Sequence, residues 1–197
     1  KDAVKIINPL LSDDTRAMIR CLEILGIKIH VFENSIEVMG SIYDVKDNDY
    51  VLDADLSGST IRFILPLLSL VPGVKILKGK EGLNKRPIKV LVDALRKLGA
   101  EIDYVDREGY PPLRITSSML KAGMVILDGG ISSQYFSALL MAAPMIGELV
   151  IEVEGAQVSK PYIDMTRDIM KKFVVNVFNE EYKKYMVKKF LDFYHSN

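Results

Sequence analysis

The sequence predicts an α/β (α+β) fold of βαβαββ repeats, with apolar helices gathered inside and sheets outside. Three observations lead there. Residues 132–145 are apolar on nearly every side, so this helix must be buried; it is too short to span a bilayer. A second such stretch, 61–70, precedes it, and the turns of small residues and hydroxyls that enter the two, Ser57-Gly58-Ser59 and Ile131-Ser132-Ser133, lie about 74 positions apart. After each comes a helix with a single apolar face, opening on Lys85-Arg86-Pro87 and Ser159-Lys160-Pro161 at nearly the same offset.

In chain order, Val4, Ile6 and Ile7 form a short strand closed by Asn8-Pro9. Ser12-Asp13-Asp14-Thr15 supplies N-cap chemistry for a helix whose Ala17, Met18, Cys21, Leu22 and Leu25 share one face. Gly26 ends it. Ile27, Ile29 and Val31, then Ile36, Val38 and Ile42, alternate as two strands around Glu33-Asn34-Ser35. A strand at 50–53, the apolar helix 61–70, the Pro72-Gly73 stop and a strand at 74–77 follow. Pro87 is placed in the first turn of the next helix (Ile88, Leu91, Val92, Leu95, Leu98), which Gly99 ends. Two strands near 101–105 and 112–116 close that unit. The order then recurs: strand 124–127, glycine-rich turn, apolar helix 132–145, strand 149–153. An amphipathic helix (Ile163, Thr166, Ile169, Met170, Phe173) and strands near 175–178 and 184–188 complete it.

The expected organisation is one domain, 1–197, of three units at about 1–45, 46–118 and 119–190. The first unit lacks its opening strand and most or all of its apolar helix. With Lys1 in place of a starting Met, no signal-peptide pattern, and an end at Tyr194-His195-Ser196-Asn197 just past a strand, the chain reads as a domain fragment.

Composition narrows the function classes. Lys and Arg (26) balance Asp and Glu (26), so no bulk field would recruit nucleic acid or an anionic membrane. No apolar stretch is long and uncharged enough for a membrane span. The single Cys21 excludes an internal disulfide and fits a reducing cytoplasm; its place on an apolar helix face makes it core. His30 and His195 are far apart, so neither a His-based triad nor a His/Cys metal site is expected. Neither a Walker A nor a dinucleotide fingerprint occurs.

The chemically loaded points are the helix starts. Free N–H groups and the helix dipole attract anions. Ser57-Gly58-Ser59 and Gly130, Ser132 and Ser133 offer such groups at the two apolar helices. If the repeats pack side by side, both starts face one ligand; alternatively the serines merely cap their helices. Gln134 adds an amide that both donates and accepts. Arg62, on an otherwise apolar helix, needs a carboxylate such as Asp53 or Asp55, or a ligand phosphate. Arg86 at a helix start opposes the dipole, which favours an anion-binding role, and Ser159, Lys160 and Tyr162 repeat that arrangement. Asp13 and Asp14 are read as cap and dipole residues.

Taken together, several segments resemble one family. They are Leu10-Leu11-Ser12-Asp13-Asp14-Thr15, Leu56-Ser57-Gly58-Ser59-Thr60-Ile61-Arg62, Asn84-Lys85-Arg86-Pro87-Ile88, Tyr110-Pro111-Pro112-Leu113, Ser132-Ser133-Gln134-Tyr135-Phe136 and Val158-Ser159-Lys160-Pro161-Tyr162-Ile163-Asp164. In order and at sensible spacing, they resemble 5-enolpyruvylshikimate-3-phosphate synthase, or 3-phosphoshikimate 1-carboxyvinyltransferase. The resemblance implies an inside-out α/β barrel, one of two domains of three βαβαββ units each, with ligands in the cleft between them. It also implies enolpyruvyl transfer from phosphoenolpyruvate to the 5-hydroxyl of shikimate 3-phosphate. That step belongs to the shikimate pathway of aromatic amino acid biosynthesis, and it uses no metal or organic cofactor. By position, Ser132, Ser133 and Ser159 would hold the phosphate of shikimate 3-phosphate, with Gln134 and Tyr162 on its ring side. Gly58, Arg86 and Gln134 would bind phosphoenolpyruvate, supported by Ser59, Arg62 and Lys160. The implied setting is a cytoplasmic monomer whose partner is the enzyme's other domain, with no nucleic acid or membrane involved.

The departures are specific. Leu56 stands where the family usually has Asn, and Ser59 where it has Thr. The lysine–serine–arginine cluster expected before Lys1 is absent, as is the domain carrying the acid/base groups and further arginines. The fragment is therefore expected to bind but not to catalyse. Two alternatives stand beside this reading. One is the sister transferase acting on UDP-N-acetylglucosamine, disfavoured because Cys21 is in the wrong region for its loop acid. The other is a non-catalytic phosphometabolite-binding domain, which Leu56 keeps open.

Overall fold

Residues 3–188 are described in the computed structural model; His195 and the chain end lie outside the described residues. The elements are β1 (Val4–Ile7), α1 (Asp13–Ile24), β2 (Lys28–Val31), β3 (Ser35–Met39), β4 (Tyr50–Asp53), α2 (Gly58–Leu70) and β5 (Val74–Lys78). They continue with α3 (Glu81–Asn84), α4 (Lys89–Lys97), β6 (Glu101–Tyr104), β7 (Leu113–Thr116), β8 (Gly123–Asp128) and α5 (Ser133–Ile146). Last come β9 (Leu149–Glu154), α6 (Lys160–Lys172), β10 (Val177–Glu180) and β11 (Lys184–Val187).

The strands form three sheets, and two of them share one topology. In the order β4-β5-β7-β6, the first pair is parallel and the other two pairs antiparallel. The order β8-β9-β11-β10 repeats this pairing. The remaining sheet, β1-β3-β2, is antiparallel throughout and matches the last three strands of that pattern. Among the described residues it has neither a parallel opening strand nor an apolar helix of its own. Strand β1 is exposed along its whole length.

Helices α2 and α5 lie against each other inside the sheets. Ile61, Ile64, Leu65 and Leu68 of α2 are buried, as are Tyr135, Phe136, Leu139, Leu140 and Ala143 of α5. Burial of this kind yields about 25 cal/mol per Å² of apolar surface and is what holds two helices with so few polar residues in the interior. The amphipathic helices α1, α4 and α6 each bury one face and expose the other. On α1 the predicted face holds, with Ala17, Cys21 and Leu25 buried.

Local structure departs from expectation in three places. Ile42 does not continue a strand: it opens a 3-10 turn, Ile42–Asp44, because Ser41 and Asp44 cap one another reciprocally. Pro87 is not in a first helical turn. The chain makes the short α3, then Pro87 precedes Ile88, the N-cap of α4. Arg86 is thereby carried on a linker between helices. On α6, Ile169 and Phe173 stay about half exposed, at 49% and 55%, although Ile163, Thr166 and Met170 are buried. Ile169 and Met165 border an apolar groove with Phe63, Met141 and Tyr162.

Candidate functional site

Each apolar helix starts from a loop that is tied to the loop of the following strand. In the second unit Lys80 N–H donates to Asp55 O at 2.7 Å, and in the third Val158 N–H donates to Gly129 O at 2.9 Å. Both ties need a glycine for close approach. A Cβ on Gly79 would lie 2.7 Å from Asp55 O, and one on Gly129 would lie 2.9 Å from Ala156 O. The third-unit tie brings the Ser132 and Ser159 loops together. Gln157 braces it, its Nε2 donating to Val158 O at 3.0 Å and Gly129 O at 3.3 Å.

At the start of α2, the Ser57 hydroxyl accepts from Thr60 N at 3.0 Å, and Thr60 Oγ1 donates to Asp14 O at 3.0 Å. That locks α2 to the start of α1. Ser132 Oγ accepts from Gln134 N at 3.3 Å, so both apolar helices are serine-capped. Ser57 and Ser132 both cap, one of the two readings open from the sequence, and accepting that bond leaves the Ser132 O–H able to donate. Ser133 is buried, at 6% exposure. Ser159 differs: it is the N-cap of α6 with φ +52 and no side-chain cap bond, so its hydroxyl is not spent on the helix. A non-glycine residue in this left-handed region costs on the order of 1 kcal/mol and is found where function or packing demands it.

The two helix starts converge, and Gln134 joins them. Its Nε2 donates to Ser59 Oγ at 3.0 Å, and its Oε1 accepts from Arg62 Nη1. The Arg62 guanidinium also lies 5.3 Å from the Tyr135 ring centroid. The Tyr135 hydroxyl donates to Pro87 O at 2.9 Å, which anchors the linker carrying Arg86. Arg86 in turn reaches back over α2: Arg62 Nη1 and Arg86 Nη1 each lie 3.4 Å from where a Gly58 Cβ would be. Gly58, Ser59, Arg62, Arg86, Gln134 and Tyr135 therefore form one cluster. Arg62 and Arg86 also line a small cleft with Ile61, Leu83, Pro87, Ile88 and Pro111.

The ion pair expected between Arg62 and Asp53 or Asp55 does not form. Asp55 is taken by Lys80 at 2.7 Å and Arg20 at 3.4 Å, and the Lys80 bond above all holds its carboxyl below the ordinary range. Asp53 Oδ1 accepts from Asp55 N–H at 2.8 Å. Among the described residues no carboxylate lies within ion-pair distance of Arg62 or Arg86. Lys160 also leaves the cluster. Its ammonium lies 4.8 Å from the Tyr182 ring centroid, beside the β10–β11 hairpin. Tyr162 borders the apolar groove beside α2, α5 and α6. Leu56 is 53% exposed, in a recess with Asp13, Asp14, Asp55, Ser57 and Lys80. Among the described residues no three His, Cys, Asp or Glu side chains gather as a metal site would need. Cys21 is buried and its thiol is pushed up to about 11 by burial, so it is inert. No described helix is long and apolar enough to cross a membrane.

Tyr135 and the Pro87 carbonyl had not been singled out from the sequence. The available signal was a tyrosine on an otherwise apolar helix, whose hydroxyl must find a partner when buried.

Comparison with known proteins follows the same residues. The family model for EPSP synthase (3-phosphoshikimate 1-carboxyvinyltransferase) matches residues 1–189. A 3-phosphoshikimate 1-carboxyvinyltransferase of Sulfurovum sp. (strain NBC37-1) is 44% identical over 189 residues, which cover 93% of this chain and 44% of that protein. One from Actinobacillus pleuropneumoniae serotype 3 (strain JL03) is 42% identical over 196 residues, covering 95% and 45%. The solved EPSP synthase from Acinetobacter baumannii superposes with a TM-score of 0.84 at 22% identity, covering 97% of this chain and 43% of that one; it shares the fold. The chain thus spans less than half the length of the curated relatives it matches.

Proposed function

Because the chain belongs to the EPSP synthase (3-phosphoshikimate 1-carboxyvinyltransferase) family, we propose that it is one wall of a cleft for carboxyvinyl transfer. The reaction moves the enolpyruvyl group of phosphoenolpyruvate to the 5-hydroxyl of shikimate 3-phosphate and releases phosphate. The observation carrying this reading is the convergence of the α2 and α5 starts, cross-linked by Gln134 and flanked by two arginines with no carboxylate partner among the described residues. Such a place favours anions through open N–H groups, the helix dipole and guanidinium charge at once.

In this reading Ser132, Ser133 and the uncommitted Ser159 hydroxyl hold the phosphate of shikimate 3-phosphate. Gln134 lies between the two substrates, and Tyr162 faces the ring side. Gly58 and Arg86 receive phosphoenolpyruvate, with Ser59 and Arg62 in support. Lys160 is left out of the first set of contacts because of its Tyr182 partner. The chain reads as one domain of three units, the first short of its opening strand and apolar helix, in a monomeric cytoplasmic enzyme that needs no cofactor.

Moving the group also requires proton transfers, to which the proposed binding residues contribute no carboxylate. Those groups belong to the remainder of the enzyme, so this chain supplies binding and orientation. Calorimetry tests the reading. The chain should bind shikimate 3-phosphate weakly, and Ser132→Ala/Ser133→Ala should abolish the heat. Equal binding by that double variant, or no binding by the parent chain, would refute it.

A further inference from the structure

The start of α6 carries Ser159 and Tyr162, yet the Ser159 side chain makes no cap bond, so the usual lock on a first helical turn is missing. On the inner side the second turn is fixed to α5. The Ser137 and Thr166 hydroxyls meet at 2.8 Å, and Thr166 Oγ1 donates to Tyr162 O at 3.0 Å. On the outer side a single residue of the β10–β11 turn grips the helix. The Tyr182 hydroxyl donates to Asp164 Oδ2 at 2.7 Å, and the Lys160 ammonium lies 4.8 Å from the centroid of the same ring. Lys160 and Asp164 are four positions apart and share one face of α6.

The turn that delivers Tyr182 adopts an unfavourable backbone to do so. Glu181 and Tyr182 both lie in the left-handed region, at φ +49 and +59, where glycine and asparagine are the ordinary occupants. Local bonds hold it there. Asn179 Oδ1 accepts from Tyr182 N–H at 2.9 Å, and Lys183 N–H donates to Glu180 O at 2.8 Å. Val153 N–H donates to Lys183 O at 2.9 Å, which fixes the turn to β9. On the helix, Arg167 Nη1 pairs with Asp164 Oδ1 at 3.0 Å, so each carboxylate oxygen has a partner. The contact is therefore fixed from both sides.

The geometry points to Tyr182 as a positioning residue: through Asp164 and Lys160 it fixes the first turn of α6, and with it the Ser159 hydroxyl beside the Ser132 loop. Tyr182 itself would touch no ligand. A hydroxyl held in place before binding loses less freedom when a ligand arrives, so the brace acts on affinity without adding a contact. The inference rests on the proposed function in taking Ser159 as part of the shikimate 3-phosphate seat.

Calorimetry with shikimate 3-phosphate, well below the unfolding temperature, tests it. Tyr182→Phe keeps the ring beside Lys160 and loses only the donor to Asp164, and should weaken binding about fivefold. Asp164→Asn keeps an acceptor for Tyr182 and should stay within about twofold of the parent. Adding Asp164→Asn to Tyr182→Phe should weaken binding no further than Tyr182→Phe alone. In amide NMR, Tyr182→Phe should move the Ser159 amide before ligand is added and leave the Ser57 amide in place, and the full spectrum shows that the variant is folded. A merely structural role would lower the urea midpoint and leave affinity untouched, so parental affinity in Tyr182→Phe overturns the inference, whatever its midpoint. Failure of the wider reading looks different: the parent chain takes up no shikimate 3-phosphate, or Ser159→Ala binds it as the parent does, and the positioning role then falls with it.

Discussion

Two buried side chains show how single residues register their surroundings. Lys75 is fully buried on β5, and its ammonium donates to Val71 O at 2.6 Å and Gly73 O at 2.7 Å, closing the end of α2. Burial lowers its pKa from 10.5 to about 8, with Asp47 opposing the shift. Between those values the unfolded chain holds the proton and the folded chain does not, so stability rises with pH across the window. The cost of the buried charge is present in full below about 8 and gone above 10.5. Urea midpoints of the chain and Lys75→Met, compared at pH 7.5 and pH 10.5, should show the parent gaining on the variant as pH rises. Tyr185 is the opposite case. It is fully buried, its hydroxyl has no partner among the described residues, and desolvation pushes that hydroxyl above its ordinary range. Its ring packs edge-on to Phe136 at 5.9 Å. Tyr185→Phe keeps the ring and removes an orphaned polar atom, so thermal unfolding should show stability unchanged or raised by roughly 1 kcal/mol. A clear loss would mean that the hydroxyl is satisfied.

Helices and linkers set the site's shape. Buried helices α2 and α5 can hold a polar cluster at their starts because serine caps and inter-loop ties satisfy the backbone there. The Arg86 linker is held by backbone bonds from Arg86 N–H to Leu83 O and from Ile88 N–H to Gly109 O, and by one side-chain tether, the Tyr135 hydroxyl on Pro87 O. Tyr135→Phe should therefore fold normally and lose about 1 kcal/mol in urea. Its phosphoenolpyruvate affinity should fall as well, because Arg86 is less firmly held over Gly58. Unchanged affinity would show that the backbone bonds alone place the linker. The α3 turn also marks where a sequence reading goes astray. Leu83-Asn84-Lys85-Arg86-Pro87 carries helix-start signals, and proline chemistry allows either a first turn or the residue before a cap. Tertiary contacts favour the latter: Leu83 and Ile88 are both buried in the core, Ile88 N–H donates to Gly109 O, and the Tyr135 hydroxyl donates to Pro87 O.

Taken whole, the chain spans less than half the length of the relatives it matches, and under the proposed function it supplies binding groups while the proton transfers fall to the rest of the enzyme. The chain alone should give no turnover of phosphoenolpyruvate with shikimate 3-phosphate in a phosphate-release assay, and measurable turnover would refute that division of labour. The sequence by itself determined much of this. The element order, two all-apolar helices, their repetition and the serine-rich starts follow from periodicity and capping, which act over a few residues and are written locally. The candidates Gly58, Arg86, Ser132, Ser133 and Gln134 were legible for the same reason, helped by the family resemblance. Tertiary structure alone decided the partners. Arg62 meets Gln134 across α2 and α5, more than seventy positions away, while nearby Asp55 is claimed by Lys80 and Arg20. Lys160 turns to Tyr182, and Tyr135 finds Pro87. Side chains of this kind have several neighbours of suitable charge or polarity along the chain. Which of them lies within 3 or 4 Å depends on how the buried helices pack, a relation between distant segments that no local pattern encodes.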